Sequence, residues 1–596
     1  MKKLFLFLIT AMLVTNLSGA IFGVINTADS GAGSLRNAII QANSNPGMDS
    51  IMFGIPGTGV QTIIPLSQLP QITDPAGVLI DGFSQPGSLN GGNPPLTCIL
   101  MIEINGLLAG ASHGLWIISP NNIIQGLIIN NFEQDGIRIE SPGSDVSNNW
   151  IYANFIGTDP SGIAPQGNGT NQSMYWAGVD ILVTIGYPGI NHDNLVEGNL
   201  ISSNYAEGVA ISNCPPGDVF MNYVYFNYIG TDIMGMTDLG NSHDGVYIGE
   251  GAHDNVVGDN LISGNDFEGV CIIGYAEEYI ITIGNQIIHN IIGMKADYTP
   301  LGNTMDGISI GQYGNVYQGG FAPDNFIGDN EIAYNGNNGI TVWEHPMDSI
   351  NCDHDCISGN SIHDNVWIGI DLDDDGVTLN DPWDPDMIAN QDLNFPVITK
   401  AINDNATGQT TISGKIDIDS DPIQAIVEVF KAAPDPTGYG EGELFLGSIS
   451  PAVDSTWTIV VSMGLAYGDS ITATTTDTYG NTSEFCLNVM VDTLQGIKEK
   501  SSAKIDNRKI ELLPNPFSSS ITIEFSTLKK GHISLKIYDM TGKLVKTIAN
   551  GMYKASSYRM KWNGMNENGI KVTPGIYYCK LKTEHYSSTN KIIMIR

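Results

Sequence analysis

The sequence predicts an all-β protein in which a solenoid of stacked parallel strands is followed by two β-sandwich domains. One unit recurs seven times: Asn, a second Asn five residues later, Ile two residues after that, and a closing Gly before an apolar triplet. From about residue 396 the pattern changes to separate runs of alternating apolar residues, which are typical of antiparallel strands. The Asn pairs are Asn149/Asn154, Asn194/Asn199, Asn222/Asn227, Asn255/Asn260, Asn285/Asn290, Asn325/Asn330 and Asp355/Asn360; the Ile residues are Ile156, Ile201, Ile229, Ile262, Ile292, Ile332 and Ile362; the closing glycines are Gly178, Gly208, Gly245, Gly269, Gly307, Gly339 and Gly369.

The pattern of this unit indicates one coil of a solenoid. Its apolar runs are too short for helices, and Gly and Asn mark turns that need positive φ or a side chain bonded to backbone. We expect the Ile residues to form an inward column and the Asn residues to form ladders from coil to coil. Roughly residues 100–375 resemble the right-handed parallel β-helix proteins. That resemblance implies a fold and no function, because the fold hosts lyases, hydrolases, adhesins and phage spikes.

The start of the chain predicts export. Lys2-Lys3, an apolar run over 4–14 and Ser18-Gly19-Ala20 are typical of a secretory signal peptide over 1–20. No later run is long and apolar enough for a membrane helix. The seven cysteines are too few and too scattered for a disulfide framework.

Charge divides the chain in two. Residues 21–497 contain 6 Lys and Arg against 56 Asp and Glu, a net charge of −50, whereas residues 498–596 contain 18 against 7, a net charge of +11. The tail is therefore expected to be a separate module. The acidic body argues against nucleic acid as a partner and against bare polyuronates.

Residues 21–100 are predicted to cap the solenoid and to form its first irregular coils, before the repeats over 101–390. Ser34 is a candidate N-cap for a short helix with Leu35, Ala38, Ile39 and Ala42 on its apolar face. Such a helix would cover an open strand edge. The run from Asp29 to Ile39, together with Ile80–Gly87, resembles the N-terminal segment of large secreted bacterial β-helix proteins, where the resemblance implies a structural role.

Three coils carry long insertions between the conserved Ile and the closing Gly. They span 156–178, 229–245 and 292–307, and they alternate with short coils. Insertions on one face of a solenoid often form its binding face, and the alternative is a structural flap. The candidate ligand-binding residues are Thr158, Asp159, Tyr175, Trp176, Thr231, Asp232, Asp238 and Tyr298.

Two clusters suggest metal chemistry. The Asp-x-Asp-x-Asp-Gly run over 371–376 is typical of a calcium loop, and with Asp381 it gives Asp371, Asp373, Asp375 and Asp381 as candidate Ca²⁺ ligands. Pro382 stands where an EF-hand needs Glu, so only a looser site is expected; the alternative is an acidic turn. Cys352 and Cys356 are compatible with a metal pair or a local disulfide, but their spacing fits no zinc signature.

Two β-domains are expected after the solenoid. Alternating strands over 396–492 suggest an immunoglobulin-like sandwich, followed by a linker over 493–508. Residues 509–596 contain Pro514-Asn-Pro516, Tyr538-Asp-Met-Thr-Gly-Lys543 and Pro574-Gly-Ile-Tyr577. In combination these motifs resemble the C-terminal sorting domain read by the type IX secretion system of Gram-negative bacteria. The resemblance implies export machinery as a partner and a secreted or outer-surface location.

The coils offer little for catalysis. Arg138 and Lys295 are their only Lys or Arg residues. Five His-Asp pairs lie at turns and are not expected to align in one column. The candidate acid–base constellation is His243 and Asp244 with Asp232, and Arg138 is a candidate charge stabiliser on a strand. Three functions remain open: adhesion or glycan binding through the loops, a polysaccharide lyase or glycoside hydrolase on the same face, and a surface-layer or stalk protein.

Overall fold

A computed structural model shows three long parallel sheets that wind as a β-helix, followed by two antiparallel sandwiches. It describes residues 19–595 except 92–96, 171–175, 275–279, 312–320, 344–351, 386–387, 464, 494–509, 528, 541, 555 and 584–586. Tyr175, most of the predicted signal peptide and most of the predicted linker lie outside these residues. The chain divides into two compact units, Met1–Leu494 and Gln495–Arg596. The predicted fold class is confirmed.

The three sheets contain 11, 10 and 9 strands, and each coil from Val78 onward contributes one strand to each of them. The first sheet contains Ile21–Val24, Asp49–Phe53, Val78–Asp81, Ile123–Gln125, Trp150–Tyr152, Leu195–Glu197, Tyr223–Tyr225, Val256–Gly258, Gln286–Ile288, Phe326–Gly328 and Cys356–Ser358. The second contains Gln61–Ile63, Ile102–Asn105, Leu127–Asn130, Phe155–Ile156, Leu200–Ile201, Tyr228–Ile229, Leu261–Ile262, Ile291–Ile292, Glu331–Ala333 and Ser361–His363. The third contains Leu115–Ile117, Ile137–Ser141, Val179–Val183, Val209–Ser212, Val246–Gly249, Val270–Ile273, Ile308–Ile310, Ile340–Val342 and Ile370–Leu372.

The conserved Ile residues form the predicted inward column, since all seven are at most 1% exposed. The two predicted Asn ladders are also confirmed. Asn260 shows the pattern: its amide donates to Asn290 Oδ1 at 3.0 Å and to the Val224 carbonyl at 2.8 Å, while its Oδ1 accepts from the Asn227 backbone and side chain. The positive φ at these turns falls on the residue before each Asn, such as Asp259 at 53°.

A third ladder was missed by the sequence reasoning. It lies in the turn before the third sheet, where the amide of Asn204 donates to Asn241 Oδ1 at 2.9 Å and that of Asn241 donates to Asn265 Oδ1 at 2.9 Å. In six coils this Asn lies four residues before the closing Gly, and that spacing could have revealed it. The ladder runs through Asn168, Asn204, Asn241, Asn265, Asn303, Asn335 and Asn365.

The N-terminal end of the solenoid is covered by helix α1, Leu35–Ala42. The Ser34 side chain accepts a hydrogen bond from the Asn37 backbone N–H. The apolar residues Leu35, Ala38, Ile39 and Ala42 are buried in the solenoid core. The predicted cap helix is confirmed. Short 3₁₀ turns lie at Gly82–Ser84, Gly106–Leu108 and Ala389–Asp392, and a small parallel sheet contains Asp145–Ser147, Ile190–His192 and Asp218–Phe220.

The first sandwich closes the other end of the solenoid. Glu441 accepts the backbone and side-chain N–H groups of Asn365, both at 3.1 Å, and so terminates the third ladder. Glu484 accepts the backbone N–H groups of Leu372 and Thr378 at 3.2 and 3.0 Å. The sandwich has one sheet of Val397–Asp404, Gln409–Lys415, Thr456–Val461 and Asp492–Thr493, and another of Ile426–Ala432, Gly442–Ile449, Ser470–Thr476 and Val489–Met490.

The second unit has its own core, which includes Phe517, Ile537, Trp562 and Cys579. One sheet contains Glu511–Leu513, Ile521–Thr527 and Ser556–Trp562, and the other contains Gly531–Asp539, Leu544–Tyr553, Gly575–Lys582 and Ser587–Met594. Within the described part of the chain, no helix has the length and apolar character to span a bilayer.

Candidate binding face on the third sheet

The three inserted loops cover the second sheet and bind one another. The Ile233 backbone N–H donates to the Gly162 carbonyl at 2.9 Å, and that of Ala296 donates to the Gly235 carbonyl at 2.9 Å. Ile233 is buried against a cluster that includes Phe155 and Leu200 of the second sheet. The loops therefore form a packed flap, which is the structural alternative considered for them.

In the first two loops, candidate ligand residues stabilise the loop by accepting hydrogen bonds from its own backbone N–H groups. Asp159 Oδ1 accepts the backbone N–H groups of Ile163 and Ala164 at 3.1 and 3.0 Å, and Asp232 Oδ1 accepts those of Met236 and Thr237 at 2.8 and 3.1 Å. Thr158 and Thr231 are fully buried, and Asp238 accepts the Gly240 N–H at 3.0 Å. Tyr298 is exposed in the third loop. Ligand binding by these residues stays a prediction.

A row of acidic side chains lies in the turn that leads into the third sheet, each two residues before a strand begins, and we call it the acid row. Its members precede a closing Gly, or Gly136 at the equivalent position of an earlier coil: Asp135, Glu207, Asp244, Glu268 and Asp306. All five are buried. Each closing-Gly N–H binds the next coil's row carbonyl, as from Gly245 to Glu268 at 3.0 Å, so the row runs along the solenoid axis.

Arg138 lies at the N-terminal end of the acid row. Its guanidinium contacts Asp135 at 3.1 Å, Glu140 at 2.9 Å and Asp180 at 3.0 Å. Burial lowers the pKa of Arg138, but Asp180 and Asp135 outweigh burial and raise it, so the cation is retained. One cation does not neutralise three carboxylates. Burial and then Asp135 hold the pKa of Asp180 well above its usual value, although its carboxyl contacts the Arg138 guanidinium.

Further along, burial makes the acid row largely neutral. Burial, followed by Asp135 and Glu250, raises the pKa of Glu207 to about 7. Burial, followed by the negative charge of Glu268, holds the pKa of Asp244 well above its usual value, and the Glu268 backbone N–H donates to Asp244 Oδ1 at 3.2 Å. Burial does the same to Asp306. The row can therefore donate as well as accept hydrogen bonds.

A second row lies two residues before each closing Gly, and it contains mostly aromatic or apolar side chains. We call it the turn row: Trp176, Ala206, His243, Phe267, Met305, Asn337 and Trp367. The rings of His243 and Phe267 stack at 4.8 Å, and Trp176 lies 5.5 Å from His113 and 5.9 Å from Arg138. Trp367 is 64% exposed. Phe267 and Trp367 were missed by the sequence reasoning, although their constant offset from the closing Gly is visible in the repeat.

The predicted acid–base constellation is assembled differently in the structure. His243 Nδ1 lies 3.8 Å from Glu207, and burial lowers the pKa of His243. Asp244 pairs with Glu268, whereas Asp232 binds backbone in the flap. The expectation that the His-Asp pairs do not align was wrong for two of them. His192 stacks on Phe220 at 5.0 Å, and Phe220 stacks on His253 at 5.3 Å, because all three occupy one column.

The predicted calcium ligands lie where the solenoid ends. Asp371 accepts the Gly376 N–H at 3.3 Å and the Asn338 amide at 3.0 Å, and burial followed by Asp374 raises its pKa to about 7. Asp375 binds Thr378, and Asp373 adopts a φ of 71°. Among the residues that the structure describes, no three His, Cys, Asp or Glu side chains converge as a metal site. Calcium binding at Asp371, Asp373, Asp375 and Asp381 stays a prediction. Cys352 and Cys356 do not form a disulfide with each other.

Residues 511–595 match the family described as "Secretion system C-terminal sorting domain". These residues are a sorting domain. The motifs that suggested type IX export are confirmed, and the chain is a β-helix protein exported to the surface of a Bacteroidota-type Gram-negative bacterium or beyond. The sorting domain makes the export machinery a partner of the chain.

Similar solved structures include two that this chain covers over most of their own length. The Dettilon tailspike protein is 14% identical with a TM-score of 0.35, over 88% of this chain and 89% of that protein. The mannuronan C-5 epimerase A-module of Azotobacter vinelandii is 14% identical with a TM-score of 0.30, over 56% and 80%. Dimeric latent PorU of Porphyromonas gingivalis is 16% identical with a TM-score of 0.15, over 38% of this chain and only 22% of PorU.

The raised pKa of Glu207 predicts a pH dependence of stability. Because its pKa is about 7 in the folded protein and 4.5 is the ordinary value, the folded state binds more protons between these limits. Stability therefore falls as pH rises through this window, and about 3 kcal/mol is lost by pH 8. Buried carboxyls such as Asp371 add to the same trend, so denaturant unfolding at pH 5 and pH 8 should show that Glu207→Gln reduces this difference by roughly 2–3 kcal/mol. The exposed control Glu133→Gln should leave it intact; equal pH dependence in both variants would contradict the assignment.

Proposed function

We propose that this protein binds uncharged glycans outside the cell, and that it adheres through them to glycan-coated surfaces. The observation that carries the proposal is the pair of parallel rows at the third sheet. The turn row and the acid row lie side by side in the four central coils, from Glu207 to Asp306, and the turn row continues past the acid row with Trp367. Linear sugars present the matching pattern, with apolar C–H faces and hydroxyl edges.

The turn row supplies surface for stacking. Trp176, Phe267 and Trp367 lie three coils apart in succession, which is about 14 Å at a strand spacing of about 4.8 Å. Tryptophan and phenylalanine rings bury a large apolar area and lose little side-chain entropy on binding. A glycan that follows the solenoid axis would contact several of these rings at once.

The acid row supplies the polar contacts. Glu207 and Asp306 keep a small exposed fraction, 7% and 5%, and their raised pKa values let these carboxyls donate to sugar oxygens as well as accept from hydroxyls. Between residues 101 and 399 the sequence contains two Lys or Arg residues, Arg138 and Lys295. Arg138 is already paired with carboxylates, so a polyanionic glycan would meet uncompensated repulsion.

A catalytic role on the same face is the second candidate, and the Asp244–Glu268 pair is the observation that favours it. A carboxyl with a strongly raised pKa is suited to general acid catalysis. However, a direct hydrogen bond brings the two groups closer than the roughly 5–5.5 Å or 6.5–9.5 Å that glycosidases use. Arg138, with three carboxylate partners, is also poorly suited to stabilise a new negative charge. Binding is the better supported function.

A glycan array with the full-length secreted chain tests the proposal. Trp176→Ala and Trp367→Ala should each weaken binding to the wild-type ligands about tenfold, because each removes one stacking surface. The control is Trp383→Ala, an 81% exposed tryptophan outside both rows, which should bind like the wild type. Wild-type protein that binds no glycan would favour the architectural alternative, and equal losses in all three variants would place the site elsewhere.

A further inference from the structure

The outer face of the first sheet carries a group of six aromatic side chains, separate from both rows at the third sheet. We call it the aromatic platform: Trp150, Tyr152, Tyr223, Tyr225, Phe226 and Phe326. The inward residues between them, such as Val224 and Ile327, are fully buried in the core. The platform spans six consecutive strands, about 24 Å at a spacing of about 4.8 Å. Phe226 and Phe326 are exposed and the other four are half-buried.

The platform rings lie close to the sheet, because glycines make room for them. A Cβ on Gly258, the strand neighbour of Tyr225 in the next coil, would meet the Tyr225 ring at 2.3 Å. A Cβ on Gly328 would meet the Phe326 ring at 2.4 Å. Tyr225 also packs with Tyr223 at 6.3 Å and with Phe226 at 5.9 Å. Tyr223, Tyr225 and Phe226 therefore form one contiguous group of rings, and Trp150 and Tyr152 form a second group with their rings 4.9 Å apart.

Carboxylates border the platform. Burial, followed by the negative charge of Asp193, raises the pKa of Tyr223, and burial followed by Asp259 raises that of Tyr225. Asp193 also contacts His192 at 2.7 Å. The surrounding body, residues 21–497, carries a net charge of −50. A second copy of this chain would be repelled, whereas a cation would be attracted both by the carboxylates and by the ring faces.

We propose that the aromatic platform is a second binding site, and that it takes a cationic amino-sugar polymer whose ammonium groups lie over the rings of Tyr223 and Tyr225. Sugar rings of the same polymer stack on the platform, and Asp193 and Asp259 pair with the ammonium groups. This site does not depend on the third sheet or on the glycan binding proposed there.

A matched pair of ligands tests the charge. Calorimetry with the full-length chain should show that a glucosamine hexamer binds at least about tenfold more tightly than its fully N-acetylated counterpart, and that added salt weakens the binding. Gly258→Ala should reduce affinity for the glucosamine hexamer about tenfold, because the new methyl group displaces the Tyr225 ring. Tyr225→Leu should also reduce the affinity for the glucosamine hexamer about tenfold, and it leaves Gly258 unchanged.

Two control variants show whether the loss of binding is specific to the platform. Gly54→Ala places a methyl group where nothing lies within 4 Å, and it should bind normally. Trp367→Ala, in the turn row, should also leave glucosamine binding unchanged. Equal affinity for both hexamers, no binding of either, or normal binding by both platform variants would overturn the proposal. So would a change of oligomeric state in Tyr225→Leu, since the platform would then contact a second copy.

Discussion

Asn260→Ala is expected to lower the free energy of unfolding by roughly 3–6 kcal/mol, because it interrupts a ladder in the solenoid core. The Asn260 side chain serves three partners: it accepts from Asn227 through backbone and amide, and it donates to Asn290 and to the Val224 carbonyl. Alanine removes these four hydrogen bonds, worth about 0.5–1.5 kcal/mol each, and takes the acceptor from the buried Asn227 backbone N–H, which costs about 1–3 kcal/mol. The Asn227 amide and Asn290 Oδ1 keep other partners.

Denaturant unfolding of the full-length chain measures this loss. The control is Asn405→Ala, an exposed asparagine in the turn that follows Val397–Asp404, and it should change stability by less than about 0.5 kcal/mol. An Asn260 variant as stable as the control would show that the ladder contributes nothing.

The double variant Glu441→Ala, Glu484→Ala is expected to loosen the contact between the first sandwich and the last coil, while other contacts, such as Glu428 with Ser358, remain. These two side chains accept four N–H groups from Asn365, Leu372 and Thr378, and Glu484 is only 3% exposed. The loss should be at least about 4 kcal/mol. Exposed strand ends of the last coil would then pair between molecules, and the variant should aggregate.

Thermal unfolding measures the loss of stability, and light scattering measures the aggregation. Glu443→Ala changes an exposed neighbour on the same strand and should remain monodisperse with an unchanged midpoint. If the double variant behaves like this control, the sandwich does not cap the solenoid.

Much of the scaffold could be predicted because each coil repeats the same local chemistry. The column through Ile262 and the ladder through Asn260 follow from positions that recur at fixed offsets within a coil. Helix α1 followed from a local N-cap at Ser34 and one apolar face. Repeat offsets, an N-cap and an apolar helix face each involve residues that are close in the chain. They can therefore be recognised in a single sequence.

The candidate site depends on contacts between coils, which the sequence records poorly. Glu268 pairs with Asp244 across 24 residues and Glu207 lies beside His243 across 36, because inserted loops make the coil length uneven. Burial then sets the pKa values of these groups, and burial is not visible in a list of residues. The capping role of Glu441 was missed for the same reason, since its partner Asn365 lies 76 residues away.

Binding of a glycan at the third sheet without cleavage is tested by measuring binding and glycan mass in one sample. The full-length chain is incubated for days with a glycan selected on the array, and the bound fraction and the glycan's mass spectrum are recorded together. We expect saturable binding that is lost in Trp367→Ala, and a glycan whose mass and chain length do not change. Shortened or unsaturated products that disappear in Asp244→Asn, or the absence of binding, would contradict it.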